Sequence, residues 1–262
     1  MSAAPGVPYV LLGNGAVARA FLEEGAGSAG PPLRVVLNAP GKQRDAAGMR
    51  AAAAGAGVPV DEWSPEARER LLSLARERGD AWLLSVYFGH LLDAELLDAF
   101  GGRAVNLHPS LLPWCQGVHT NVWPIVEGCP AGVTLHAMVP RVDAGPVLAQ
   151  RTVPVEPWDT AATLYARLEA EALCLVREAW PAGVLAAWPG TLQGQGGSRH
   201  RVADMRALDE YGLDEHPEAR AFFDLLRARS FPPYPGLRVR SGGRLLEATV
   251  TLREIADDER DD

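Results

Sequence analysis

The chain has 262 residues, 47% of them hydrophobic and 22% charged, enough apolar material for one large core plus a small appendage and too much for a disordered chain. Against 33 acidic residues stand 25 basic ones, and the net charge of −8 excludes the basic field that binds nucleic-acid phosphates or an anionic membrane. Three cysteines, Cys115, Cys129 and Cys174, lack CxxC spacing, which argues for reduced thiols in a cytosol and against a disulfide frame or a structural zinc site.

The N-terminal sequence has no basic n-region, and no uncharged apolar run reaches the roughly 18 residues of a membrane span, so a soluble cytoplasmic protein is expected. Short apolar runs then alternate with helical stretches. Strands are predicted at 9–12, 34–37, 58–60 and 82–86, and helices at 16–24, 44–54, 65–78 and 93–100. Ser64 before Pro65 marks a helix start, because a capping oxygen precedes a residue whose missing N–H is harmless in the first turn. A strand at 104–107 ends in a dense polar loop, and strands at 132–138 and 147–153 follow. Asp159 is expected to cap a helix in which Leu164, Leu168, Ala172, Leu175 and Val176 recur at helical spacing toward Trp180. The alternation predicts an α/β fold, a Rossmann-like and mostly parallel sheet flanked by helices.

Residues 188–201 shift to Gly, Gln, Pro and Ser and read as a crossing segment. A helical stretch is predicted at 204–230, a rigid turn at 231–236, and a hairpin whose strands, 237–240 and 245–252, flank a Ser-Gly-Gly turn. An isolated hairpin is marginal in water, so this one is expected to pack on the body or on a second subunit, ahead of an acidic tail at 257–262. The expected division is a catalytic domain, 1–190, and a C-terminal extension, 191–262, with the hairpin as a dimerisation element.

Three stretches carry chemistry. Gly13-Asn14-Gly15-Ala16-Val17-Ala18 follows a strand and opens a helix, the arrangement of a phosphate-binding turn, although glycines there also serve tight turns and close helix packing. A nicotinamide dehydrogenase is the competing reading; it calls for a ribose-binding acid after the second strand, where Leu37-Asn38-Ala39-Pro40 offers none. Asn106 and His108 end a strand two residues apart, which puts both on one face, where an amide N–H and an imidazole can serve a carbonyl. Asp143, in Asp143-Ala144-Gly145-Pro146 after the 132–138 strand, is either a turn residue or the partner that bonds His108, orients it and favours its charged form.

Asn106-Leu107-His108-Pro109-Ser110-Leu111-Leu112-Pro113, then Gly117-Val118-His119, Gly132-Val133-Thr134-Leu135-His136 and Asp143-Ala144-Gly145, in this order and spacing, resemble the core of the folate-dependent formyltransferases. With the GNG loop and the Asp159-Thr160 helix start, the resemblance covers about the first 190 residues. It implies transfer of a formyl group from 10-formyltetrahydrofolate, as cosubstrate, to a primary amine without a metal, with Asn106, His108 and Asp143 catalytic. It also implies folate contacts at Tyr87, Phe88, Gly89 and Leu91 and at Val139, Arg141 and Val142; Phe88 and Leu91 equally fit a plain core. Acceptor contacts fall to Gly13, Asn14, Gly15, Trp114, Cys115, Gln116 and His119.

Length and acidity exclude the tRNA-formylating branch. About 80 residues follow Trp180, more than the glycinamide ribonucleotide branch carries, and the 231–236 turn, Trp123 and Asp159-Thr160 match the sugar-nucleotide branch better. An amino-deoxysugar on a dTDP or UDP carrier is therefore the expected acceptor, and a homodimer the expected assembly. Trp114-Cys115-Gln116-Gly117 replaces that branch's Tyr-Asn-Arg-Gly type of sequence, which keeps a non-sugar amine, such as an amino acid, peptide or antibiotic intermediate, as the alternative. A nucleophilic Cys115, a nucleotide-binding oxidoreductase and an inactive binding module are the remaining readings.

Overall fold

The computed structural model describes residues 6–24, 29–213 and 218–254, so the acidic 257–262 stretch and part of the 204–230 stretch lie outside the described residues. The first half alternates as expected: β1 (Tyr9–Gly13), α1 (Gly15–Glu23), β2 (Arg34–Leu37), α2 (Ala46–Gly55), β3 (Val60–Glu62), α3 (Pro65–Glu77), β4 (Trp82–Val86), α4 (Ala94–Ala99) and β5 (Ala104–His108). Then come β6 (Gln116–Gly117), α5 (Trp123–Glu127), β7 (Ala131–Ala137), β8 (Val147–Val153), α6 (Ala161–Ala179), α7 (Ala182–Ala187) and β9 (Arg199–His200).

Seven strands form one sheet in the order β3-β2-β1-β4-β5-β7-β8; the first five run parallel, and β7 pairs antiparallel with both β5 and β8. The period of two sorts β1 between two cores. Tyr9 and Leu11 meet Phe21 of α1, Met49 of α2 and Leu164, Leu168 and Val176 of α6, while Val10 and Leu12 meet Leu71 and Leu72 of α3 and Leu96 of α4. Each fully buried Leu contributes about 1.5–3 kcal/mol from removing apolar surface from water, so the central strands are fixed before any polar contact is counted. Among the described residues, no helix is long and apolar enough to cross a membrane.

The start of α3 is as expected, with Ser64 Oγ accepting from the Ala67 N–H at 3.2 Å. The α6 cap is one residue later than expected. Thr160 and Thr163 exchange side-chain and backbone hydrogen bonds in a capping box, while the Asp159 carboxylate accepts from the Glu156 N–H at 2.7 Å and pairs with Arg167. The Asp159 carbonyl in turn accepts from Arg227, which joins this corner to the C-terminal segment.

That segment corrects the expectation of one helical stretch at 204–230. It holds a 3₁₀ turn (Asp204–Leu208), β10 (Glu210–Gly212) and α8 (Ala219–Ala228), followed by β11 (Leu237–Ser241) and β12 (Arg244–Ala248). Helical patterning loses at 210–212 because the edge of β11 offers unpaired backbone groups and β10 pairs with it in parallel. Tyr211, Leu225, Leu237 and Val239 then form a separate small core. The hairpin turns on Gly242 and Gly243, both at positive φ as a two-residue turn of this hand requires, and its second strand ends at Ala248 rather than at 252.

Candidate active site

β4, β5 and β7 lie side by side, and their register puts Ser85 opposite Asn106 and Asn106 opposite His136. A directed chain of hydrogen bonds follows. Ser85 Oγ–H donates to Asn106 Oδ1 at 2.7 Å, Asn106 Nδ2 lies 3.1 Å from His136 Nε2, and His136 Nδ1 lies 3.0 Å from the Ala137 carbonyl. The carbonyl can only accept, so Nδ1 carries the ring proton and Nε2 accepts from the amide. Burial, and then the neighbouring His108, pull the His136 pKa down to about 4 against the opposing effect of Asp143. The neutral ring this network needs is therefore the form that persists near neutral pH. Asn106 is held by its oxygen and by one N–H, which leaves its second N–H for the cleft.

His108 stands two residues further along β5, buried, with Nε2 3.4 Å from the Cys115 carbonyl. Asp143 comes from the β7–β8 connection. Only glycine fits at Gly145 in that turn, since a Cβ there would lie 1.7 Å from the Ala137 carbonyl oxygen. The expected hydrogen bond from His108 to the Asp143 carboxylate is replaced by a wider arrangement. Oδ2 accepts from the Gly117 N–H at 2.9 Å and lies 3.7 Å from His108 Nε2, while Oδ1 lies 3.7 Å from His136 Nε2. Gly117 itself sits at φ +100° against the His200 carbonyl, a place no side chain can take. Of the five non-glycine residues at positive φ among the described residues, four, Tyr87, Cys115, His119 and Asp143, belong to loops around this point; backbone strain of that kind persists where surrounding structure over-determines a site.

The three residues open on a cleft of about 1000 Å³. Asn14, Gly15, Tyr87, Phe88, Gly89, Leu91, Val139, Val142 and His119 line it with them. Leu91 is 76% exposed and so is not core, whereas Phe88 packs edge-on to Trp63 with ring centroids 5.4 Å apart. Asn14 accepts from the Arg44 N–H at 2.6 Å, and Asn38, where an acid was absent, accepts from the Gly89 N–H at 3.0 Å and ties two loops under the cleft. The His119 pKa is lowered, by desolvation first and then by Arg229 and Arg44.

Gly13, Trp114, Cys115, Gln116 and Arg141 lie outside the cleft lining. Gly13 admits the packing of α1 and α2, since a Cβ would fall 2.8 Å from Met49 Cε and 3.1 Å from Ala18 Cβ. Trp114 packs against the main core, Gln116 donates to Gln193 at 3.0 Å, and Arg141 is exposed on its loop. Cys115 is fully buried with its sulfur 3.3 Å from that of Cys129; this neighbour and burial push its thiol pKa up, the reverse of what a nucleophile needs.

A second cavity of about 530 Å³ adjoins the cleft, lined by Arg44, His119 and Tyr165 from the body and by Arg229, Phe231, Tyr234 and Arg238 from the C-terminal segment. Sequence reasoning placed no site residues in that segment and gave His136 and Ser85 no role. The role of His136 follows from the pairing of β5 with β7; it shares a strand face with Thr134, which accepts from the Leu112 N–H at 3.1 Å and anchors the loop after His108.

The model of a family described as formyl transferase matches residues 24–178. A Mycobacterium tuberculosis protein proposed to be a sugar N-formyltransferase superposes with a TM-score of 0.77 at 26% identity, over 95% of this chain and 99% of that one. An N-formyltransferase from Helicobacter canadensis, solved with folinic acid and dTDP-3-aminofucose, gives 0.72 at 19% identity over 90% and 85%. Glycinamide ribonucleotide transformylase 1 from Symbiobacterium toebii gives 0.59 at 25% identity over 72% and 93%.

Proposed function

The chain belongs to the formyl transferase family, and from that premise we propose that it moves a formyl group from 10-formyltetrahydrofolate to a primary amine on a nucleotide-linked amino sugar. The observation that carries this reading is the convergence of Asn106, His108 and Asp143 on one cleft, with Ser85 and His136 fixing the amide. The folate supplies an activated formyl carbon. Asn106, held at its oxygen, directs an N–H at the oxygen that gains negative charge as the amine attacks, and a protonated His108 adds a second donor. Asp143, 3.7 Å from His108, stabilises the imidazolium, takes up the proton released by the attacking nitrogen and passes it toward N10 as the bond between the formyl carbon and N10 breaks. Neutral His136 keeps its Nε2 lone pair for Asn106 and holds the amide in register.

Tyr87, Phe88, Gly89 and Leu91 on one wall, with Val139 and Val142 opposite, suit a flat pterin, and Arg141 at the rim suits a carboxylate tail. For the acceptor we assign the second cavity: Phe231 and Tyr234 offer faces for a pyrimidine, and Arg44, Arg229 and Arg238 offer charge for a diphosphate on a dTDP or UDP carrier. The superposition with the glycinamide ribonucleotide enzyme spans 72% of the chain, that with the proposed sugar N-formyltransferase 95%, which favours a sugar acceptor. Trp114 to Gln116 line neither cavity, so their departure from the sugar-nucleotide pattern does not argue against one. Residues 1–190 act as the catalytic domain and 191–262 as an extension that completes the acceptor side and forms a homodimer through the free edge of β12, where Leu245 and Leu246 are 50% and 53% exposed. The enzyme works in the cytoplasm on a biosynthetic intermediate. Incubation with 10-formyltetrahydrofolate and a panel of dTDP- and UDP-amino sugars, amino acids and glycinamide ribonucleotide tests the reading. Tetrahydrofolate release with a formyl mass gain on a sugar nucleotide is expected, and gain on a non-sugar amine alone overturns the acceptor assignment.

A further inference from the structure

Behind the catalytic loops, on the side away from the cleft, three metal-ligating side chains from distant segments meet. Cys115 Sγ, Glu127 Oε and His200 Nε2 all lie within 4.8 Å of one another. Cys115 comes from the loop before β6, Glu127 ends α5, and His200 lies on β9, which pairs with β6. Beside them, the Cys129 sulfur is 3.3 Å from that of Cys115. His200 is buried, and its Nε2 has no hydrogen-bond partner although it faces Glu127 Oε1 at 3.2 Å. Its ring is stacked on Trp123 at 3.7 Å and 9°, which fixes the direction in which Nε2 points.

Neighbouring ligand atoms around a tetrahedral zinc ion are roughly 3.4 Å apart for N and O, from the usual metal–ligand distances. The three ligand atoms lie within 4.8 Å of one another, with Nε2 and Oε1 3.2 Å apart, and a thiol, an imidazole and a carboxylate form a donor set that selects zinc-like ions over magnesium or calcium. We propose that Cys115, Glu127 and His200, with a solvent molecule in the fourth position, form a site for a thiophilic divalent metal ion of the zinc class. Binding releases the Cys115 thiol proton to solvent and leaves the metal's oxidation state unchanged. Glu127, with its side chain 34% exposed, gives the ion a way in.

The ion ties the loop after His108 to α5 and to the crossing segment. That loop carries the Cys115 carbonyl beside His108 and the Gly117 N–H that holds Asp143, so the metal acts on catalysis through position. Sequence spacing argued against such a site because its ligands come from three segments that only the fold brings together.

The test is Co²⁺ titration of the full-length protein, stripped with chelator and kept reduced. One equivalent should give a thiolate-to-cobalt charge-transfer band in the near-UV with intense visible bands, all displaced by Zn²⁺, and Zn²⁺ should raise Tm. Glu127→Gln should weaken binding about tenfold or more, and Cys174→Ser should leave the spectrum unchanged. The proposal is overturned if the reduced wild-type protein gives no charge-transfer band, or if the band survives at full strength in Cys115→Ser or His200→Gln. Because the wild-type spectrum alone can reject the site, a variant that fails to fold does not protect it.

Discussion

The strand ends that hold Asn106, His108 and Asp143 and the C-terminal segment that holds Phe231 and Tyr234 face neighbouring cavities, but they are built on different principles. The first is rigid and redundant: register across three strands sets Ser85, Asn106 and His136 in a row, and two loops at positive φ bring in Asp143 and Gly117. The second rests on a small four-residue core and on contacts such as Arg227 to the Asp159 carbonyl. Transition-state stabilisation needs donors held without reorganisation, whereas acceptor choice needs only a surface of suitable shape and charge. Damage to the first region should therefore appear in kcat, and damage to the second in the acceptor's KM.

The largest effect is expected from Asp143→Asn, which removes the carboxylate proposed to take up the proton and neutralises the charge that faces His108. Turnover should fall by about 10²–10⁴, with an unchanged circular dichroism spectrum. Asn106→Ala should cost about 10²–10³ in kcat with little change in folate KM, because the donor acts chiefly on developing charge. Rapid-quench kinetics under saturating substrates would check both.

His136→Gln sharpens the comparison through pH. The folded His136 has its pKa pushed down from 6.5 to about 4, so the unfolded chain binds the extra proton first. The stability this neutral ring contributes is complete above pH 6.5 and is lost as pH falls toward 4. Thermal melts between those limits should be steeper in pH for the wild type than for the variant. The variant's kcat should fall about tenfold, since Asn106 loses its anchor rather than its N–H.

Phe231→Ala should raise the acceptor KM about tenfold at constant kcat, the worth of one lost stacking contact, and leave folate KM alone. Leu245→Asp should convert the proposed dimer to monomer in light scattering with kcat changed less than about twofold, because β12 touches neither cavity.

Much of the fold was legible because apolar runs and capping residues such as Ser64 act locally. Asn106 and His108 were legible because a strand's period of two fixes their common face. The role of His136 was not, since it depends on the antiparallel pairing of β5 with β7, which no local pattern encodes. The predicted 204–230 helix failed for a similar reason: Glu210–Gly212 is recruited by β11, a partner more than 20 residues later. Cys115, adjacent in sequence to a cleft loop, turns away from the cleft toward Cys129, and only the fold reveals that direction.

The central claim is that the strand-end residues perform the chemistry, and single-turnover formyl transfer by His108→Ala tests it most directly. With enzyme in excess and folate binding measured separately, the account predicts a rate loss of about 10²–10⁴ and a folate Kd unchanged within about twofold. A variant whose transfer rate stays within a few-fold of wild type would contradict it.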